Sequence, residues 1–165
     1  MLILEKTLVE NGVDWAKVMN VFCGMAKKIN EKYIYELFAT EHEVILYSID
    51  NTFTGIENCP CGLIYKVEEG DTGTNVYIMF IATQYRFRKV GYASIFINEF
   101  IDLLKKKYKN LTIILDSVES AVSFYEHLGF QWTPKKYDEI FDIDETNMHE
   151  HIIMSYECRE SASMF

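Results

Sequence analysis

The sequence predicts a mixed α/β fold, and three observations predict it. Strand-like and helix-like segments are mixed along the whole chain. Residues 76–82 are apolar without alternation, the pattern of a strand buried on both faces. A basic loop, Arg86-Phe87-Arg88-Lys89-Val90-Gly91, follows at once. Beyond it Ala93, Phe96, Ile97, Phe100 and Leu104 recur at spacings of three and four, the core stripe of a long helix.

The remaining elements follow in order. A first strand over 2–9 ends at Glu10-Asn11-Gly12, and Asp14 is suited to cap a helix with the stripe Trp15, Val18, Met19, Phe22, Met25, Ala26 and Ile29. Asn30 interrupts that helix, and residues 31–39 continue as a short one carrying Ile34 and Leu37. A strand over 43–49 leads into a turn-rich stretch from Asp50-Asn51 to Pro60. Residues 61–67 alternate as a strand, and Glu69-Gly70-Asp71-Thr72-Gly73 is a hairpin turn into the central one. The long helix ends with Lys105, Lys106 and Lys107, cations that suit the negative end of its dipole. A short strand over 111–115 ends in Asp116-Ser117, which can cap the next helix, with Ala121, Val122, Phe124, Tyr125 and Leu128. Gly129 stops that helix. Strands over 130–133 and 151–156 close the chain, separated by an acidic loop over 135–150. Without repeats or linkers, one domain over 1–165 is expected.

Composition narrows the class. With 165 residues, 49% of them hydrophobic, and two prolines, the chain is long and apolar enough for a good core. No apolar run reaches the length of a membrane span, and the N-terminus lacks the basic and apolar regions of a secretory signal. The expected residence is cytoplasmic, with the nucleus open. A net charge of −9 argues against general nucleic-acid binding, which rests on neutralising phosphates. It suits a cationic small substrate or a basic peptide. Cys59 and Cys61 are too close for an ordinary bridge, and no second ligand pair at zinc spacing follows them, so no metal is expected.

The central stretch carries the chemistry. A buried strand, a basic glycine-bearing loop and a helix N-terminus together make a phosphate site, because first-turn N–H groups point out of the helix end and the dipole favours an anion. Gly91 admits a ligand close to the backbone, and Ala93 keeps the next turn small. The loop lacks the GK[ST] of P-loops and the G-x-G-x-x-G of dinucleotide folds. Arg88-x-x-Gly91-x-Ala93 resembles the R-x-x-G-x-G/A signature of GNAT-type N-acetyltransferases. Ala121-Val-Ser-Phe124-Tyr125-Glu-His-Leu128-Gly129-Phe130 resembles a second element of the same superfamily, A-x-x-F-Y-x-x-x-G-F, at the fitting distance.

The resemblance implies an α+β sheet of about seven mostly antiparallel strands with helices on both faces. Its central parallel pair, 76–83 and 111–115, would splay to admit the pantetheine arm of acetyl-CoA, the acetyl donor. Ile81, Ala82 and Thr83 would offer backbone groups to that arm, with the Ile81 N–H as oxyanion donor. Backbone N–H groups of Arg88, Lys89, Val90, Gly91, Tyr92 and Ala93 would hold the pyrophosphate. Direct transfer to a primary amine is implied, with Tyr125 as proton donor to the leaving sulfur. Three departures stand out: Lys89 where many members have glycine, Val118 where asparagine is common, and a central strand without a carboxylate.

The general base stays open. A carboxylate could relay the amine proton through water, and Asp116, Glu68, Glu69, Glu36 and Glu43 are candidates, Asp116 also being readable as a helix cap. His127, His149 and His151 read as solvent-facing. The acceptor is expected to be a small amine or basic peptide, drawn by Asp138, Glu139, Asp142, Asp144 and Glu145 in the last loop. A homodimer stays open. The alternative is a catalytically silent acyl-CoA-binding module.

Overall fold

A computed structural model describes residues 2–4, 15–25, 31–40, 42–50, 52–53, 57–135, 137–147 and 151–159. In chain order its elements are β1 (Leu2–Leu4), α1 (Trp15–Met25), α2 (Glu31–Phe38), β2 (Glu43–Tyr47), β3 (Cys61–Glu69) and β4 (Thr74–Thr83), then α3 (Tyr92–Lys107), β5 (Leu111–Ser117), α4 (Val122–His127), β6 (Gln131–Trp132), α5 (Asp138–Phe141) and β7 (Ile152–Cys158). The strands are hydrogen-bonded in the order β1-β2-β3-β4-β5-β7-β6. Strands β4 and β5 run parallel, whereas β1/β2, β2/β3, β5/β7 and β6/β7 are antiparallel. This is the mixed α/β sheet that the sequence predicts. The Asp14 cap, Ala26 and Ile29 lie outside the described residues.

The chain falls into two compact units. One comprises Met1–Lys66 and Phe80–Ile101, the other Val67–Met79 and Asp102–Phe165. In the first, Phe22 of α1 meets Phe38 of α2 at 5.4 Å and Phe80 of β4 at 6.1 Å between ring centroids. A Cβ on Gly62 would touch the Phe22 ring at 2.8 Å, so this small residue lets α1 lie close against the sheet. The long helix covers the opposite face, since Phe96 packs on Tyr47 and Phe100 on Tyr65. Tyr47 and Tyr65 alternate with Leu46 and Gly62 along their strands, which puts them on the other side. The stripe predicted for this helix is its buried face, with Phe96, Ile97, Phe100 and Leu104 at 2% exposure or less.

In the second unit the β5/β7 ladder runs from Leu111↔Cys158 to Ser117↔Ile152. One face carries Ile113, paired with Tyr156. The Tyr156 ring packs on Phe130 at 5.7 Å and lies under the Lys105 ammonium at 5.1 Å. Thus Lys105 has a local partner as well as the helix dipole. Gly129, at φ +102°, brings the chain so close that an added Cβ would lie 3.0 Å from the Tyr156 ring. The other face carries Tyr77, Ile114 and Ile153, covered by Tyr137, Ile140, Phe141 and Ile143. The stretch read as an acidic loop therefore contains a short helix, α5, and anchors itself with apolar residues set between its carboxylates. Strand β6 is shorter than expected, Gln131–Trp132 only.

The hairpin between β3 and β4 closes with Gly70 N–H donating to the Gly73 carbonyl at 2.9 Å. A Cβ on Gly73 would sit 2.6 Å from the Asn110 carbonyl oxygen, whereas one on Gly70 meets only an ordinary 3.5 Å contact. Gly73→Ala should therefore destabilise the protein by roughly 1–3 kcal/mol in denaturant titration, an overpacking cost, while Gly70→Ala stays near wild type. Equal effects of the two substitutions would contradict this packing.

Candidate active site

The first unit carries the phosphate-loop residues. Ile81, Ala82 and Thr83 form the half-buried end of β4. A 3-10 turn, Tyr85–Phe87, follows, with Phe87 N–H donating to Gln84 O at 2.9 Å and Arg88 N–H to Tyr85 O at 3.2 Å. The turn is latched to the segment before β3. Gln84 N–H donates to Pro60 O at 2.7 Å, and its side-chain amide donates to Cys59 O at 2.6 Å. That segment is itself fixed by Asp50, whose Oδ1 accepts from Asn58 Nδ2 and from the Thr52 hydroxyl, both at 2.8 Å. These bonds hold the exposed Asp50 carboxyl down at about 2.

Beyond the turn the backbone becomes left-handed twice, at Lys89 (φ +66°) and Gly91 (φ +91°). This explains why glycine is common at the position of Lys89 in proteins that the sequence resembles. A non-glycine residue there costs roughly 1–2 kcal/mol. A Cβ placed on Gly91 meets nothing within 4 Å, so the space in front of this backbone is open. Helix α3 begins at Tyr92, and Ile95 N–H donates to Gly91 O at 3.4 Å, its first helical bond. The N–H groups of Lys89, Val90 and Gly91 have no hydrogen-bond acceptor among the described residues, and those of Tyr92 and Ala93 are the orphan donors of a first turn. Such a run of outward donors at a helix N-terminus fits a pyrophosphate. Arg88 donates through Nε to Thr83 O at 3.2 Å and lies 5.6 Å from the Tyr85 ring centre, leaving the rest of its guanidinium fork exposed. Tyr92 is wedged between Tyr47 and Phe87.

Cys59 and Cys61 are fully buried, and burial pushes their thiols up to about 12 and about 11. Cys61 Sγ also meets Thr83 Oγ1 at 3.3 Å. Both are neutral packing thiols that support the end of β4.

The second unit carries Tyr125 and Asp116. The Tyr125 ring is buried between Phe124 and Phe130, at 5.3 and 5.7 Å. No described group hydrogen-bonds its hydroxyl, and no described buried polar side-chain atom lacks a partner, so the hydroxyl reaches accessible surface. Burial alone pushes this phenol up to about 12. Asp116 does not cap a helix: the turn leading into α4 starts at Val118 with no side-chain cap bond. Instead it reaches across to the start of β7, where Oδ1 accepts the Ile152 N–H at 3.1 Å and Oδ2 bonds His151 Nδ1. His151 is accordingly not solvent-facing, its side chain being 19% exposed. Ser117 is buried, donating to Val118 O at 2.7 Å, and Val118 is exposed.

The parallel pairing of β4 and β5 runs from Thr74↔Leu111 to Ile78↔Leu115, although β4 continues to Thr83 and β5 to Ser117. The ladder thus ends just before Asp116. At the other end of these strands lies a polar cavity of about 570 Å³, lined by Glu68, Asn75, Asn110, Thr112, Lys135, Tyr137 and Arg159. Among the remaining base candidates, Glu68 accepts weakly from the Tyr77 hydroxyl at 3.5 Å, Glu36 pairs with Lys32, and Glu43 and Glu69 are exposed at strand ends. His151 was not legible as a partner of Asp116, being 35 residues away; only the β5/β7 register brings the two together.

Comparison with known proteins places this geometry. The acetyltransferase (GNAT) domain profile matches residues 15–149, and the chain belongs to that family. No curated protein matches it. Solved structures share the fold at low identity. GCN5 of Tetrahymena aligns with TM-score 0.62 and 14% identity over 90% of this chain and 89% of its own. The Escherichia coli ribosomal-protein alanine N-acetyltransferase aligns with TM-score 0.61 and 15% identity over 100% and 99%. Arabidopsis thaliana Naa50, in complex with the bisubstrate analogue CoA-Ac-MVNAL, aligns with TM-score 0.53 and 20% identity over 93% and 97%.

Proposed function

We propose that this protein is an N-acetyltransferase that moves the acetyl group of acetyl-CoA directly to a primary amine, and that the amine belongs to a cationic acceptor. The observation that carries the reading is the run of unpartnered N–H groups from Lys89 into the first turn of α3, facing open space at Gly91. The donor's pyrophosphate would lie on these groups and its pantetheine arm along Ile81, Ala82 and Thr83. The Ile81 N–H would polarise the thioester carbonyl as charge develops on its oxygen. Tyr125 would protonate the departing sulfur, a role suited to a phenol that burial keeps protonated far above neutral pH. An N-acetyltransferase and a protein bound to a bisubstrate analogue of CoA and a peptide, both among the similar structures, are consistent with amine chemistry.

Cation preference is read from the segment before β7. Its apolar residues Ile140, Phe141 and Ile143 pack inward, while Glu139, Asp142, Asp144 and Glu145 are exposed. The carboxylates therefore sit on an anchored ridge, which can attract a polycation in a salt-dependent way. Asp144 is held ionised by its own turn, accepting from the Thr146 N–H at 2.8 Å.

Three outcomes test the reading. Calorimetry should find acetyl-CoA binding abolished by Gly91→Glu but only weakened by Gly91→Ala, since both substitutions strain a positive φ and only glutamate fills the anion's place. If both variants bind like wild type, the pyrophosphate does not lie there. Tyr125→Phe should lower kcat by roughly ten- to a thousand-fold with cofactor affinity unchanged, and near-normal turnover would leave Tyr125 a packing residue. Asp142→Asn, Asp144→Asn and Glu145→Gln together should raise KM for spermidine and flatten its salt dependence, while a neutral arylamine is unaffected. The asparagine at 142 also tolerates the observed φ of +54°. Identical responses of the two acceptors would remove the ridge from substrate choice.

A further inference from the structure

From the hydrogen bonds around Asp116 we infer that His151, oriented by Asp116, is the general base that deprotonates the acceptor amine. This rests on the acetyl-transfer reading above.

The pair has the chemistry of an oriented imidazole. An ionised carboxylate only accepts, so the bond between Asp116 Oδ2 and His151 Nδ1 puts the ring proton on Nδ1. Neutral His151 then presents Nε2 as a bare acceptor. The other carboxylate oxygen accepts the Ile152 N–H at 3.1 Å, so both oxygens of Asp116 are engaged and its orientation is fixed from two sides. This makes Asp116 the positioning residue and His151 the base. The side chains are partly buried, at 19% and 24% exposure, which leaves a path to the ring without loosening the pair.

Location supports the role. The β4/β5 ladder ends at Ile78↔Leu115, and Asp116 is the next residue of β5, so the pair stands at the end of the parallel pairing. Tyr125 belongs to the helix that follows the same strand. The charged groups set toward the imidazole among the described residues are Asp116 on β5 and Asp144 before β7, whose charge interacts with His151. The other carboxylates considered as bases stand at exposed positions or, for Glu68, beside Tyr77 at the far end of β4.

The step balances. An alkylammonium gives one proton to Nε2 and becomes a neutral amine. Its lone pair forms the C–N bond at the thioester carbonyl, and the C–S bond breaks. The nitrogen loses a second proton to solvent as the amide forms, and the sulfur gains one from Tyr125, which the solvent replaces. One proton is released overall, through the His151 imidazolium.

The test is the pH profile of His151→Gln and Asp116→Asn, with spermidine and a peptide bearing a free amino terminus as probes. At pH 7 the amines are largely protonated, and kcat/KM should fall roughly 100-fold or more in His151→Gln. At pH 9.5 solvent already supplies free amine, and the variant should return to within about tenfold of wild type. Tyr125 remains protonated at that pH, so loss of the acid does not blur the comparison. Asp116→Asn, which disturbs the tautomer but not the shape, should follow the same pH-dependent pattern more weakly. A loss that is equal at both pH values, or no loss at pH 7, overturns the assignment. Wild-type protein that releases no coenzyme A with any amine overturns the acetyl-transfer reading itself, and the two failures are therefore distinct. Unchanged acetyl-CoA affinity in both variants is expected, since neither residue belongs to the phosphate loop.

Discussion

A helix must leave its first N–H groups without acceptors of its own, and in this protein the chain is bent so that those groups face open space. Several contacts in the first unit fix that bend. The end of β4 is backed by the buried thiols of Cys59 and Cys61, and Gln84 ties the turn to Cys59 and Pro60. The backbone then turns left-handed at Lys89 and again at Gly91 before α3 begins. Helix α3 cannot shift to relieve the strain at Lys89, because Phe96 and Phe100 hold its far face against Tyr47 and Tyr65. The strain, roughly 1–2 kcal/mol, is maintained by packing around it.

The second unit supplies polar groups of a different kind. Tyr125 has a buried ring and an accessible hydroxyl, so it is a neutral donor across the working pH range. Asp116 and His151 hold each other across the β5/β7 ladder at the end where the parallel pairing stops.

Much of this was legible in the sequence, for identifiable reasons. The 76–82 run, the α3 stripe and the Gly91 and Gly129 positions are local patterns whose physical causes act within a few residues, and the structure realises each. The mixed α/β class followed from the elements, and the parallel central pair from the family resemblance of the two motifs. Local reading failed where a contact depends on strand register. Asp116 looked like a cap because Asp-Ser before a helix usually is one, yet β7 offers it an N–H and an imidazole instead. Likewise residues 138–141 were read as loop because carboxylates dominate the composition there, whereas Ile140, Phe141 and Ile143 bury against Tyr77, Ile114 and Ile153. Lysine carries no preference for the left-handed backbone at 89, so the one pointer to it was the glycine common there in proteins that the sequence resembles.

The central claim is that backbone donors between Lys89 and the first turn of α3 hold a pyrophosphate. It is tested most directly by comparing, in calorimetry, acetyl-CoA with S-acetylpantetheine, which keeps the thioester arm and lacks the pyrophosphate. Loss of the diphosphate contacts should weaken binding by at least roughly 100-fold, the equivalent of about 2.7 kcal/mol. Equal affinities for the two donors would mean that the loop does not bind phosphate, and the account would be wrong at its base.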